Sequence, residues 1–173
     1  MNDSFKPVLM AGIGVSQRGF IPKRQIIDNI VDIESAGILH SLLAGPRDSL
    51  DSGLCSIILL LDYLAAFPSV AHKWLELCLA ASGAPPHVRH LINGLYSNLR
   101  AYVRVASGFE FAFNIISGIL QGCPLSPSIF AIAIEPLLLA LRKVTDCAGV
   151  QGRAGIVRAC ADDVAIAIPR ISI

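Results

Sequence analysis

The sequence has little charge and no long hydrophobic run. Of its 173 residues, 16% are charged and 54% are hydrophobic, with a formal net charge of +1. Bulk charge therefore gives no indication of a polyanionic partner, and any nucleic-acid contact must come from local groups. The two longest apolar stretches, Ile57–Phe67 and Ile129–Leu141, are interrupted by Asp62 and by Glu135–Pro136. Both are shorter than the roughly 18–20 residues of a membrane-spanning helix, so we expect buried helices and a buried sheet, with no membrane partner.

The cysteines do not form a recognisable metal or redox motif. The five are odd in number and widely spaced, at positions 55, 78, 123, 147 and 160. Such cysteines are typical of small core residues in a reducing compartment. The N-terminus, MNDSFKPVLM, contains Asp3 and no long apolar region, so it does not resemble a signal peptide. We therefore expect an intracellular protein, located in the cytoplasm, the nucleus or both.

Hydrophobic periodicity predicts an α+β chain. Ile26, Ile30 and Ile33 recur at helical spacing within a predicted helix over 23–43. The near-continuous apolar run LCSIILLLDYL, at 54–64, is typical of a strand buried on both faces. The other predicted elements are a polar turn at 44–53, helices at 69–82, 86–97 and 128–143, a hairpin turning at Ser107–Gly108, a Gly/Pro-rich loop at 117–128, and two short strands joined at Asp162–Asp163.

Two adjacent aspartates lie inside the apolar stretch CADDVAI, at 160–166. Burying an unpaired charge is costly, and such groups are usually paired or bound to metal. A tight hairpin would present Asp162 and Asp163 together at its tip, and Asp62 lies at the end of another predicted strand. Three carboxylates at one sheet end offer the oxygen ligands that Mg²⁺ prefers, and two such ions serve in-line phosphoryl transfer. We therefore expect a site for two Mg²⁺ ions, with Mn²⁺ as a possible substitute.

Four stretches in order resemble the motifs of LINE-type (non-LTR) retrotransposon reverse transcriptases. They are QRGFIPKRQIIDNI (17–30), DYLAAF (62–67), LQGCPLSPSIF (120–130) and CADDVAI (160–166). The resemblance covers about residues 17–168. It implies a right-hand polymerase palm, an antiparallel sheet with packed helices, in a chain with incomplete fingers and no thumb. We expect an irregular segment at 1–16 and a partial reverse transcriptase domain at 17–173, divided into a fingers remnant at 17–53 and the palm at 54–173.

The same resemblance implies which residues are catalytic. Asp62 matches the first metal-binding aspartate of the family, Asp162 matches the second, and Asp163 matches its neighbour. These three residues are the expected catalytic residues and metal ligands. The implied reaction is RNA-directed DNA synthesis by nucleotidyl transfer onto a primer 3′-hydroxyl, with an RNA template, a DNA primer and deoxynucleoside triphosphates as partners. The oligomeric state is left open.

The resemblance also implies nucleotide-binding residues. Phe67 matches the residue that stacks under the incoming sugar and excludes a 2′-hydroxyl. Gln121 and Gly122 match the loop that contacts the incoming nucleotide and the template base. Arg24 lies in the fingers motif, where it is expected to contact triphosphate or template phosphate, although a solvated position at the start of a helix is equally consistent with the pattern.

The sequence departs from the family pattern at several positions. Pro68 replaces a common aspartate, Leu120 replaces an arginine, and Cys160 replaces the aromatic residue that precedes Ala161 and the two aspartates. These departures favour a second hypothesis, a non-catalytic retrotransposon remnant or a domesticated nucleic-acid-binding module. A third hypothesis, an RNA-templated RNA polymerase palm, is disfavoured by Phe67, because such enzymes usually keep a polar group near the sugar.

Overall fold

A computed structural model describes residues 11–43, 54–147 and 154–172. The predicted turn at 44–53 and most of the irregular segment at 1–16 lie outside these ranges. The described parts form two compact units. The sheet unit comprises Ile13–Leu64 and Ile134–Ile173, and the helical unit comprises mainly Ala65–Ala133.

Five helices and five strands are found in the described parts. In chain order they are α1 (Ile26–Leu43), β1 (Leu54–Leu61), α2 (Ala66–Ser69), α3 (His72–Ala81), α4 (Pro86–Tyr96), β2 (Arg100–Val105), β3 (Gly108–Asn114), α5 (Ser126–Cys147), β4 (Ile156–Cys160) and β5 (Asp163–Ser172).

The sheet unit contains a three-stranded antiparallel sheet in the order β1-β5-β4. Residues on β4 are alternately buried and half-buried, with Val157 and Ala159 buried. On β5, Val164 and Ile166 are buried as well. The helix α1 packs mainly on β5 and β4. Mixed helices with antiparallel sheets confirm the predicted α+β class.

The prediction that β1 is buried on both faces is wrong. Its consecutive residues Leu59 and Leu60 point to opposite faces, yet their exposed fractions are 40% and 78%. The strand lies at the edge of the sheet, and α1 packs chiefly on its neighbours. A continuous apolar run predicts burial on both faces only when other elements cover both faces.

The helical unit contains the hairpin of β2 and β3 and the helices α2, α3 and α4. The predicted helix over 69–82 is interrupted, because Val70 and Ala71 are extended and Ala71 pairs with Ser117. The amide of His72 donates to the carbonyl of Ile116 at 3.0 Å, and α3 begins at that residue. The hairpin turn lies one residue earlier than predicted, at 106–107.

The helix α5 starts in the helical unit and ends in the sheet unit. Its residues 128–135 are all buried, and Pro136 follows within the helix. Burying a large aliphatic side chain contributes about 1.5–3 kcal/mol, so this segment stabilises the chain substantially. Over the residues that the structure describes, no helix is both long enough and apolar enough to cross a membrane.

Candidate active site

A two-residue hairpin turn joins β4 to β5 and contains the first aspartate of the pair, and the second aspartate is the first residue of β5. Cys160 pairs with Asp163, which leaves Ala161 and Asp162 as the two turn residues. Ala161 has a φ of 59°, in the left-handed region that favours glycine. Burial raises the pKa of the Cys160 thiol, and the nearby charges of Asp163 and Asp162 raise this pKa further. The thiol therefore stays protonated beside the two carboxylates.

The pairing of β1 with β5 brings Asp62 to the same end of the sheet as the aspartate turn. The last pair of β1 with β5 joins Leu61 to Val164. Asp62 follows Leu61 and Asp163 precedes Val164, so both aspartates flank the last pair of this ladder. Asp62 and Asp163 are exposed, and Asp162 is half-buried.

A cavity of about 600 Å³ lies between α1 and the sheet and extends to the end of the sheet where Asp62 and Asp163 lie. Its wall is largely aliphatic, and its polar lining includes Asp62, Asp163, Glu34 and Arg158. The two aspartates thus share one open space, which is accessible to small solutes.

The carboxylates at this end of the sheet fit a hard cation that is bound together with phosphate oxygens. Within the described residues, no three His, Cys, Asp or Glu side chains form a group that could hold a metal ion by themselves. Mg²⁺ is usually bound by one or two carboxylates together with substrate phosphates and water, rather than by an all-protein cage. Asp62 and Asp163 supply two carboxylates of this kind. The prediction of a site for two ions stays a prediction.

The loop at 13–24 holds the aspartate turn through Gln17. The Gln17 side chain is fully buried. Its Nε2 donates to the carbonyl of Ala161 at 3.1 Å, and its Oε1 accepts the amide of Ala161 at 3.0 Å. The same Oε1 accepts the amide of Gly19 at 2.8 Å. One side-chain amide therefore satisfies both backbone groups of the first turn residue.

The Arg24 guanidinium donates hydrogen bonds to backbone carbonyls of its own loop. The predicted contact of Arg24 with a nucleotide stays a prediction. Its Nη1 donates to the carbonyls of Gly14 and Gln17 at 2.5 and 2.6 Å, and its Nη2 donates to Ile13 at 3.3 Å. The Oε1 atom of Glu135, on α5, accepts the amide of Gly14 at 2.9 Å. Together these groups fix the loop at 13–17.

An ion-pair cluster connects α1 to β4. A single oxygen of Asp32 accepts bonds from Arg158 and Arg18, both at 2.6 Å. The hydrogen bond from Arg158 lowers the pKa of Asp32 most, with Arg18 acting in the same direction against the effect of burial. Asn29 also donates to the carbonyl of Ala159 at 3.0 Å. These contacts fix β4 next to the turn.

In the helical unit, Phe67 has a fixed ring orientation. It stacks on Phe130 with ring centroids 4.1 Å apart and the planes 9° from parallel. Its backbone carbonyl accepts the amide of Ile119 at 3.0 Å. The ring is half-buried, and its predicted contact with a sugar stays a prediction.

The loop with Gln121 and Gly122 is exposed but anchored on both sides. Gly122 has a φ of 82°, which favours glycine. The hydroxyl of Ser126 donates to the carbonyl of Leu120, whose amide donates to the Tyr96 hydroxyl at 3.4 Å. The exposed Gln121 side chain is therefore presented from a fixed backbone, and its predicted nucleotide contact stays a prediction.

Sequence reasoning alone did not find Gln17, Gly19, Asp32 or Glu135. The stretch beginning QRGF was recognised as part of a motif, but no role followed for its first and third residues. The available signal was a glutamine and a glycine two residues apart in a loop. Such a pattern has no specific structural meaning until its distant partner is known.

Comparison with protein families identifies a model that covers almost the whole chain. The family described as reverse transcriptase (RNA-dependent DNA polymerase) matches residues 1–172. A Transposon TX1 uncharacterized 149 kDa protein from Xenopus laevis is 31% identical over 138 residues, which is 80% of this chain and 10% of that protein.

Two further relatives are Pol polyproteins from type-1 retrotransposable element R2. The protein from Bradysia coprophila is 37% identical over 84 residues, covering 49% of this chain, and that from Popillia japonica is 32% identical over 106 residues, covering 60%. The chain spans 10% and 15% of their lengths, respectively.

A solved structure of apo telomerase from Candida tropicalis, truncated from its C-terminal domain, has a similar fold. The TM-score is 0.58 at 11% identity, over 97% of this chain and 33% of that one. This likeness supports the assignment of the fold.

Proposed function

Because the chain belongs to the reverse transcriptase (RNA-dependent DNA polymerase) family, we propose that it supplies the catalytic palm of an RNA-directed DNA polymerase. The proposed reaction is nucleotidyl transfer onto a primer 3′-hydroxyl. The proposed partners are an RNA template, a DNA primer and deoxynucleoside triphosphates. Within this proposal, 17–53 belongs to the fingers and 54–173 to the palm.

The observation that carries the proposal is the meeting of Asp62 and Asp163 at one sheet edge, with Asp162 in the adjoining turn. Asp62 and Asp163 are far apart in sequence, and the pairing of β1 with β5 brings them to the same end of the sheet. A cluster of like charges at an edge is unfavourable by itself, and a bound cation relieves the repulsion. The open cavity beside the pair leaves space for substrate phosphates.

We assign metal binding to Asp62, Asp162 and Asp163. When bound, two Mg²⁺ ions neutralise phosphate charge and stabilise the attacking and leaving oxygens of an in-line displacement. The protein's part is to hold the carboxylates in place. The pairing of β1 with β5 fixes Asp62 and Asp163, and the hairpin turn fixes Asp162.

Phe67 is proposed to select deoxynucleotides. A ring stacked on Phe130 cannot swing away to admit a 2′-hydroxyl without losing that contact. Replacing Phe67 with Ala should increase incorporation of ATP relative to dATP, which a competition assay measures. An unchanged ratio would remove Phe67 from the proposal. Preferential use of ATP by the unmodified chain would instead favour an RNA polymerase.

Primer extension on an RNA template tests the catalytic assignment. Replacing Asp162 with Asn keeps the size and removes the charge, and should lower the rate about 100-fold or more, since metal contacts supply several kcal/mol. Asp146→Asn, at an exposed position of α5, is the matched control and should leave the rate unchanged. Equal rates for Asp162→Asn and the unmodified chain would contradict the assignment.

A second candidate is a nucleic-acid-binding module without catalysis. The observation that favours it is Pro68, which stands in α2 where the family commonly has an aspartate. Binding of a template–primer duplex without Mg²⁺-dependent extension would support this candidate. Restoration of extension by Pro68→Asp would show that this position alone limits an otherwise competent palm.

A further inference from the structure

Ala161 would have unpaired backbone groups without help from outside the hairpin. The ladder ends at the pair of Cys160 with Asp163, so neither the amide nor the carbonyl of Ala161 has a ladder partner. The residue is 7% exposed, so water does not replace these bonds easily. Leaving a buried polar group unpaired costs about 1–3 kcal/mol. Gln17 removes that cost for both groups at once.

We propose that Gln17 is a positioning residue for catalysis, which fixes the turn so that Asp162 and Asp163 project toward the metal and substrate. The inference rests on the proposed function for its catalytic consequence. Gln17 touches neither substrate nor metal in this role, since its side chain is fully buried and both ends of its amide are engaged with backbone groups.

The chemistry of the contact requires a glutamine. The Ala161 amide needs an acceptor and the Ala161 carbonyl needs a donor, side by side on one planar group. A carboxylate cannot donate, a methionine offers neither function, and an asparagine is one methylene shorter. The buried contact also requires no net charge, because a charged group there would be desolvated.

Gly19 supports the same contact by allowing the loop to approach closely. A Cβ atom at this position would lie 2.3 Å from the amide nitrogen of Ala161 and 2.9 Å from the carbonyl carbon of Cys160. Both atoms belong to the turn backbone and cannot move aside without shifting the aspartates. Any larger residue at position 19 would therefore displace the turn.

The loop is rigid enough to serve as a reference for the turn. It runs along β4 on the side away from β5. There the backbone carbonyl of Ser16 accepts the amide of Ala159, and the backbone amide of Arg18 donates to the carbonyl of Ala159, both at 2.8 Å. Arg24 and Glu135 fix its other side. Displacing reacting groups by about 1 Å can lower a rate about 100-fold. Loss of the Gln17 contact should therefore lower kcat strongly and change the affinity for substrate little.

The first measurement is amide hydrogen exchange in the unmodified chain. The Ala161 amide should be protected as well as the Ala159 amide, which bonds to Ser16. Exchange of Ala161 at the rate of a free turn amide would overturn the proposal. This result does not depend on activity or on any variant folding correctly.

The second measurement compares two nearly isosteric variants. Gln17→Met removes the amide, and Thr145→Val removes a buried hydroxyl near Gly155, at the end of the β4–β5 hairpin away from the turn. We expect Gln17→Met to speed exchange at Ala161 at least about tenfold relative to Ala159, and to lower kcat about 100-fold with KM for deoxynucleotide within about threefold.

The outcomes separate the two proposals. Equal exchange and kcat effects for Gln17→Met and Thr145→Val would overturn the positioning role, because general destabilisation would then explain both. If the unmodified chain shows no extension, the proposed function fails, and the exchange data still decide whether Gln17 fixes the aspartate turn.

Discussion

At the scale of single residues, Glu135 is the buried carboxyl with the clearest energetic consequence. Its Oε1 accepts the Gly14 amide, whereas its Oε2 is buried without a hydrogen-bond partner. Burial raises the pKa of Glu135, and the Gly14 amide, Arg24 and Arg142 offset this only in part. The folded chain therefore favours the protonated form of this side chain.

This raised pKa predicts a pH dependence of stability. Between the unfolded pKa of 4.5 and the higher folded pKa, the folded state binds more protons than the unfolded state. The Glu135 contribution is therefore most favourable below 4.5, and is lost as the pH rises through the folded pKa. Replacing Glu135 with Gln should raise the free energy of unfolding at neutral pH and remove this slope, which urea denaturation at several pH values measures.

Glu76→Gln is the matched control for this prediction. Glu76 is a half-exposed helix residue paired with Lys73, and the hydrogen bond from Lys73 lowers the pKa of Glu76. The control should keep the slope that Glu135 causes. A slope that persists in Glu135→Gln would mean that another group causes it.

At the scale of elements, the aspartate turn and the loop packed against it each favour glycine at one position. Ala161 has a left-handed conformation, which costs about 1–2 kcal/mol for a residue with a side chain. Replacing Ala161 with Gly should therefore stabilise the chain by up to about 1 kcal/mol, after the entropy cost of glycine. Gly19→Ala should destabilise it by about 1–3 kcal/mol through overpacking. Urea denaturation measures both changes.

Gly94→Ala tests whether the loss at position 19 is specific. Gly94 lies within α4, and a Cβ there would meet no atom within 4 Å. Alanine is favoured over glycine in a helix by about 1 kcal/mol, so this change should stabilise the chain. If Gly19→Ala is as well tolerated as Gly94→Ala, the close approach of the loop to the turn is not as described.

Sequence patterns predicted elements well where local preference and tertiary contacts agree. The helices α1, α4 and α5 and both hairpins follow from periodicity, prolines and turn residues. The break before α3 could not be predicted, because it depends on backbone pairing between Ala71 and the distant Ser117. The exposure of β1 likewise depends on its place at the sheet edge.

The candidate site was predictable only for the residues that carry a local signal in the sequence. The aspartates carry a local signal, since carboxylates inside apolar strands are unusual. The role of Gln17 carries none, because its partner Ala161 is 144 residues away. Arg24 shows the opposite case, in which a basic residue in a motif is engaged with backbone carbonyls of its own loop.

At the scale of the whole molecule, apolar surface is extensive and net charge is low. The hairpin of β2 and β3 exposes Tyr102, Phe109, Phe111 and Phe113, each by more than half of its surface. Large exposed apolar patches favour association, and a net charge of +1 opposes it weakly.

We therefore expect the isolated chain to self-associate in the micromolar range, which sedimentation velocity measures. Replacing Phe109 and Phe113 with Lys should reduce association, because the two changes add charge to the patch. Val144→Lys, at an exposed site on α5, adds the same charge elsewhere and should have a smaller effect. A chain that stays monomeric at these concentrations would contradict the prediction.

The contact of Gln17 with Ala161 also determines when during synthesis the acidic turn can form. A ribosome that has made residue 17 must add 144 more before Ala161 exists, which takes about 7–30 s at about 5–20 residues per second. During that interval Gln17 has no Ala161 to bond with, and β1 has no β5 to pair with. The carboxylates can thus be brought together only after β5 has been made, and a nascent chain interrupted earlier cannot assemble them.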